Sequence, residues 1–176
     1  MKTYLALDVG GSSIKYALIQ KDSTILEKSS VPTPMDTMDH FVETIGEIYD
    51  QYKDNIAGMA ISMPGIIDPQ KGYAFTGGAL KYISKMNIVD ILKERCPINI
   101  TIGNDAKCAA NAEIGYGNLQ DIQDGAVVIL GTGIGGCLIK DHQVHTGKHF
   151  SAGEFSFVKT NCLDGIGWDY AWSTRN

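Results

Sequence analysis

The chain has 176 residues, 44% hydrophobic and 20% charged, with a net charge of −5. That balance excludes a disordered chain, and an acidic surplus without a basic cluster excludes a nucleic-acid surface. The longest apolar stretches fall well short of the roughly 20 residues a membrane helix needs, so no membrane partner is expected, and Cys96, Cys108, Cys137 and Cys162 show no C-x-x-C pair and no signal peptide precedes them, the pattern of reduced thiols in a cytoplasmic protein.

Residues 4–20, "YLALDVGGSSIKYALIQ", read as two alternating strands joined by a glycine hairpin. Asp8 ends the first strand, Gly10, Gly11, Ser12 and Ser13 form the turn, and Lys15 lies on the return strand. Exposed N–H groups in such a turn suit a phosphate, and a neighbouring carboxylate can hold Mg²⁺ through water. Taken alone, this copy is equally an ordinary tight hairpin with an exposed Asp. A third strand, "ILEKSSVPT", starts at Ile25 after a polar turn, and Pro32 and Pro34 are expected to stop its pairing.

Over residues 36–53, Met38, Phe41, Val42, Ile45, Ile48, Tyr49 and Tyr52 recur at helical spacing, with Asp39, Glu43, Glu47 and Asp50 on the wet face and Asp36 as the expected N-cap. Residues 56–68 read as a strand ending at the Pro64-Gly65 loop, as a parallel strand does where it meets a ligand crevice. A loop with Gly77, Gly78 and Tyr82 follows, then a helix over 87–95 and a strand over 98–102. Asn104 and Asp105 precede a helix over 106–114, whose small face (Ala109, Ala110, Ala112) suits close packing and which Gly115 and Gly117 close.

Residues 126–140, "AVVILGTGIGGCLIK", repeat the opening move. The order is that of an α/β half-domain over 1–118 and the beginning of a second over 119–176, the two hairpins gripping one polyphosphate. The second copy has too few residues for its crossover helices, and Trp168, Tyr170 and Trp172 would lack the core that usually buries such rings. The chain therefore reads as the N-terminal part of a longer protein.

Three other features bear on chemistry. Asp105, after a strand and at the positive end of a helix dipole, can accept a proton from a substrate hydroxyl, although Asn or Asp there is in isolation more commonly a plain N-cap. Gly131, Thr132, Gly133, Gly135 and Gly136 satisfy G-x-G-x-x-G, with Glu154 where a ribose-binding acid would sit. A dinucleotide fingerprint must open a helix, however, and "CLIKDHQVHTG" alternates like a strand with a polar turn. Glu154 reads either as a solvated loop acid or as a polyol ligand. His142, His145 and His149 fall across a turn and read as exposed loop residues rather than as a metal site.

Six segments together resemble the ROK family (repressors, open reading frames and kinases) of the actin, hexokinase and heat-shock ATPase superfamily: "LDVGGSSIKYAL", "ISMPGIID", "TGGALKYI", "IGNDAKCAANAE", "LGTGIGGCLI" and "SAGEF". The resemblance covers essentially the whole chain in order and spacing. It implies the ribonuclease H-like (actin-like ATPase) α/β fold, first half-domain complete and second begun, and ATP-dependent phosphorylation of a hexose or hexoside, usually at the primary 6-hydroxyl. It makes Asp105 the general base, Asn104 and Glu154 sugar-hydroxyl ligands, and Gly65 and Gly78 part of the same pocket. Asp8 to Lys15 and Gly131 to Gly136 match the two phosphate segments, with Mg²⁺ near Asp8.

Two departures qualify it. Ser156 and Phe157 stand where many members have Gly-His, and only Cys162 follows in place of a cysteine cluster, so no structural zinc is expected. The family's C-terminal half, which supplies the adenosine pocket and much of a homodimer contact, is missing, so no kinase activity is expected from the 176 residues alone. A sugar-sensing ROK repressor, which needs a DNA-binding arm before the first strand, and an actin- or chaperone-like nucleotide switch are the alternatives. Which sugar is bound is not legible.

Overall fold

A computed structural model describes residues 2–131 and 133–159. Thr132, Cys162, Trp168, Tyr170 and Trp172, to which expectations were attached, lie outside the described residues. The chain forms two compact units, Met1–Asn104 and Asp105–Asn176.

The first unit opens with an antiparallel meander of β1 (Thr3–Val9), β2 (Ser13–Gln20) and β3 (Ile25–Pro32). The strand ends at Pro32 as expected: Pro32 stands opposite Ser13 as the last residue of an edge strand, where a missing N–H is tolerated. Helix α1 (Met38–Tyr52) buries Phe41, Ile45, Ile48 and Tyr49, as its spacing requires. Its N-cap is Thr37 rather than Asp36. Thr37 is extended (φ −138°, ψ 157°), and its hydroxyl accepts from the His40 N–H at 3.2 Å, while Asp36 pairs with the His40 ring at 2.9 Å.

Strand β4 (Met59–Met63) is shorter than the expected 56–68. Pro64 has no N–H to continue the ladder, and Gly65 turns the chain with φ +110°. The chain then makes β5 (Ile67–Asp68), β6 (Tyr73–Thr76) and β7 (Ser84–Asn87), a small antiparallel sheet; β5 falls at the end of the expected strand, and β6 and β7 lie where only a loop was expected. Helix α2 (Ile88–Arg95), capped by the Asn87 side chain, leads into β8 (Ile100–Asn104), which runs two residues past the expected end. β1, β4 and β8 are parallel, giving the order β3-β2-β1-β4-β8.

One core serves this unit. Leu5, Leu7, Val9, Ile14, Ile61, Met63 and Ile102 from the sheet meet Phe41, Ile45, Ile48, Ile88 and Leu92 from the helices. Burying each large side chain there contributes roughly 1.5–3 kcal/mol. Arg95 ties α2 to α1 through Glu43 at 3.2 Å and Asp50 at 2.7 Å, passing over Gly46, whose lack of a side chain makes room.

The second unit begins with α3 (Asp105–Tyr116), which continues through Gly115 instead of stopping there. Of the expected Ala109, Ala110 and Ala112, only Ala110 is buried, together with Ala106 and Lys107. The helix packs on an antiparallel sheet of β9 (Gly125–Leu130), β10 (Ile134–Lys140) and β11 (Gln143–His145), in the order β11-β10-β9. That packing is why compactness groups α3 with the strands that follow it, ahead of the half-domain boundary expected after residue 118. A short 3₁₀ turn, Phe155–Phe157, closes against β10.

Candidate active site

In the first unit, Asp8 stands on the sheet face opposite Leu7 and Val9, and it is exposed where they are buried. It lies across from Lys15 on β2 and from Ser62 on β4, whose hydroxyl donates to Asp8 Oδ1 at 3.1 Å. The turn beyond it is closed by Gly10 N–H donating to Ser13 O at 3.0 Å. Thr33 fastens the turn to the end of β3, its hydroxyl donating to Gly10 O at 2.7 Å and its N–H to Ser12 O at 3.2 Å. The N–H groups of Gly11 and Ser12 make no bond to another described residue, and both residues are exposed. Two exposed N–H donors, a lysine opposite and a carboxylate at the strand end fit a nucleotide phosphate with its Mg²⁺.

Gly65 and Gly78 belong to two loops stacked on each other. Both have positive φ, and a Cβ on Gly65 would collide with Thr76 O, while one on Gly78 would lie 3.0 Å from Pro64 Cβ. Asn104, at the carboxyl end of β8 and buried at 4% exposure, locks the arrangement by donating from Nδ2 to Gly65 O at 3.0 Å. The expected sugar ligand is thus also the fastener of the expected pocket loop.

In the second unit, Asp105 is exposed at the first turn of α3, and the Ala106 N–H donates to its Oδ1 at 2.8 Å. Gly131 and Gly133 form the β9–β10 turn through a 3.0 Å bond from Gly131 N–H to Gly133 O, with Thr132 outside the described residues. Gly135 and Gly136 lie within β10 rather than in the turn. A Cβ on Gly136 would strike the Phe155 ring, so packing requires a glycine there, whereas one on Gly135 would make only an ordinary 3.4 Å contact with Ala106 Cβ. A strand, not a helix, follows the glycine run, so the run is no dinucleotide fingerprint.

Glu154 is held where sequence reading left it open. Gly153, at φ +77°, lies so close to β10 that a Cβ would sit 2.6 Å from Leu138 N. The Glu154 Oε1 accepts from Lys107 Nζ at 2.9 Å, and both side chains are largely buried, 14% and 8% exposed. Beside them Cys137 is buried, and burial pushes its thiol up, with the Lys107 ammonium opposing and the Glu154 carboxylate reinforcing the shift.

Lys107, Ser62 and Thr33 went unread in the sequence. A lysine between Ala106 and Ala110 on an otherwise small helix face was the available signal, since lysines are almost never buried unpaired. The ring of His142 contacts Ile122 O at 3.0 Å, and no group of three or more His, Cys, Asp or Glu side chains arranged for a metal occurs among the described residues. No described helix is long and apolar enough to cross a membrane.

The ROK family model matches residues 4–164. This chain belongs to the ROK family. A β-glucoside kinase of Klebsiella pneumoniae is 30% identical to the ROK chain over 156 residues, covering 89% of it and 52% of the relative. A solved structure of a ROK family protein from Streptococcus pneumoniae in complex with sucrose is 27% identical, covering 95% of the ROK chain and 56% of its own, with a TM-score of 0.78. A ROK family glucokinase from Streptomyces griseus, solved with glucose and AMPPNP, shares the fold at 24% identity and a TM-score of 0.85, over 98% of the ROK chain and 58% of its own. The ROK chain thus has the actin-like ATPase fold and spans about half the length of the curated relatives it matches.

Proposed function

We propose that the protein is an ATP-dependent sugar kinase that phosphorylates a hydroxyl, the primary 6-hydroxyl, of a hexose or hexoside. The observation that carries this reading is Asp105, an exposed carboxylate at the start of α3, directly following buried Asn104. ATP with Mg²⁺, when bound, supplies the phosphoryl group and neutralises its charge. The chain's own residues do the rest. Asp105 accepts the proton of the attacking hydroxyl, with its Oδ1 oriented by the Ala106 N–H. Asn104 and Glu154 hydrogen-bond other sugar hydroxyls, and the stacked Gly65 and Gly78 loops line the same pocket.

The hairpin from Asp8 to Lys15 takes phosphate oxygens on the N–H groups of Gly11 and Ser12, and Asp8 holds Mg²⁺ through water. Gly131, Thr132 and Gly133 form the second phosphate turn, with Gly135 and Gly136 setting its approach to α3 and Phe155. The named activities and ligands of the ROK relatives support sugar as the substrate class. A homodimer working in the cytoplasm, with no nucleic-acid or membrane partner, completes the reading.

The test is a panel of glucose, N-acetylglucosamine and the β-glucoside arbutin, offered with ATP and Mg²⁺ to the complete gene product and read by coupled ADP detection. One or more sugars should be phosphorylated. Asp105→Asn should lower kcat by about 10²–10⁴-fold, the usual contribution of a general base, with sugar binding retained. Turnover in the variant close to that of the parent would remove Asp105 as the base, and a blank panel would remove the kinase reading.

A further inference from the structure

The proposed chemistry leaves Lys107 without a task, although the fold goes to some length to bury it. Its side chain is 8% exposed and its ammonium lies 2.9 Å from Glu154 Oε1. A buried ammonium persists only when paired, and removing one partner of such a pair leaves a costly isolated charge. Elsewhere the protein pairs charges differently: Lys53 and Asp50 meet at 3.2 Å with side chains 48% and 41% exposed, a contact that contributes little. The Lys107–Glu154 pair is built, because Glu154 is also constrained from its own backbone. Gly153 presses on β10, and Phe155 lies over Gly136.

The geometry points to Lys107 as a positioning residue for sugar binding. Its ammonium takes Glu154 Oε1 and so fixes the carboxylate's orientation, leaving Oε2 to accept from a sugar hydroxyl. A carboxylate already held in its binding rotamer loses little further side-chain entropy when the sugar arrives, and the paired lysine offsets its charge. Lys107 itself does not touch the sugar. This inference rests on the sugar-kinase reading, and it adds a residue to that site which acts only through Glu154.

Calorimetry on the complete gene product, with the sugar from the panel that binds best, tests it. Lys107→Met should weaken sugar binding by about 10- to 100-fold, the size of one charge-assisted hydrogen bond. In the coupled assay the sugar KM should rise by the same factor, with the KM for ATP within about twofold. Lys107→Arg, which keeps a cation opposite Glu154, should recover affinity. The doubly neutral Lys107→Met, Glu154→Gln variant should melt close to the parent, since the isolated charge is gone, and still bind sugar weakly.

A purely structural pair predicts the opposite split. Parental sugar affinity in folded Lys107→Met would overturn the positioning role alone; where that variant does not fold, parental affinity in the doubly neutral variant would overturn the positioning role together with Glu154 as a sugar ligand. A parent protein that binds no sugar in the panel would overturn the sugar reading and the positioning role with it.

Discussion

Cys96 and Cys137 show how burial alone sets the behaviour of single residues. Both are fully buried. Burial pushes the Cys96 thiol up to about 11, with the Arg95 guanidinium opposing, and raises that of Cys137. The reactive thiolate is therefore scarce at neutral pH and access is blocked as well. Iodoacetamide at pH 8, followed by peptide mapping, should leave Cys96 and Cys137 unmodified in native protein and label both after denaturation. The sign for stability follows. A thiol whose folded-state value is raised contributes fully below its unfolded value of 9.0 and loses that contribution as the pH climbs toward about 11. Urea midpoints measured across that window should fall, and should fall less in Cys96→Ala. Rapid native labelling of Cys96 would contradict its place in the core.

At the scale of elements, periodicity found the strands and helices, and local hydrogen bonding decided where they stop. The α1 pattern of Phe41, Ile45, Ile48 and Tyr49 was legible because one buried face of a helix repeats in sequence. Its cap was not, since Asp36 and Thr37 are both good cap residues and only the extended backbone at Thr37 aims its hydroxyl at the His40 N–H. Thr37→Ala should cost about 1 kcal/mol of stability by denaturant melting, whereas Asp36→Ala should cost clearly less because its partner is an exposed histidine. A larger loss in Asp36→Ala than in Thr37→Ala would put the cap back on Asp36. Strands β6 and β7 escaped sequence reading because each has four residues, too short for alternation to register.

Across the molecule, the described residues of the two compact units differ in how much they bury. The first has a continuous core drawn from its sheet and both helices. Among the described residues of the second, the buried apolar side chains are Ala106, Ala110, Ile134, Cys137 and Ile139, while Val128, Leu130, Leu138, Phe157 and Val158 are exposed. Native-state hydrogen exchange should therefore be slowest in β1, β4 and β8 and distinctly faster in β9, β10 and β11. Uniform protection across both sets of strands would show that burial among the described residues does not govern local stability here.

The sequence by itself determined the family, the α/β order of elements and the glycine hairpins, because these are written in local alternation, helical spacing and turn chemistry. It also singled out Asn104, Asp105 and Glu154. Only the tertiary structure decided what holds them. The Asn104 amide bonds Gly65 from 39 positions away, and Lys107 reaches Glu154 across 47. Only the tertiary structure shows that Gly136 is also a close-packing position, with Phe155 brought against β10. Contacts between residues so far apart depend on how α3, β10 and the loops are packed, and no short window of sequence carries that information.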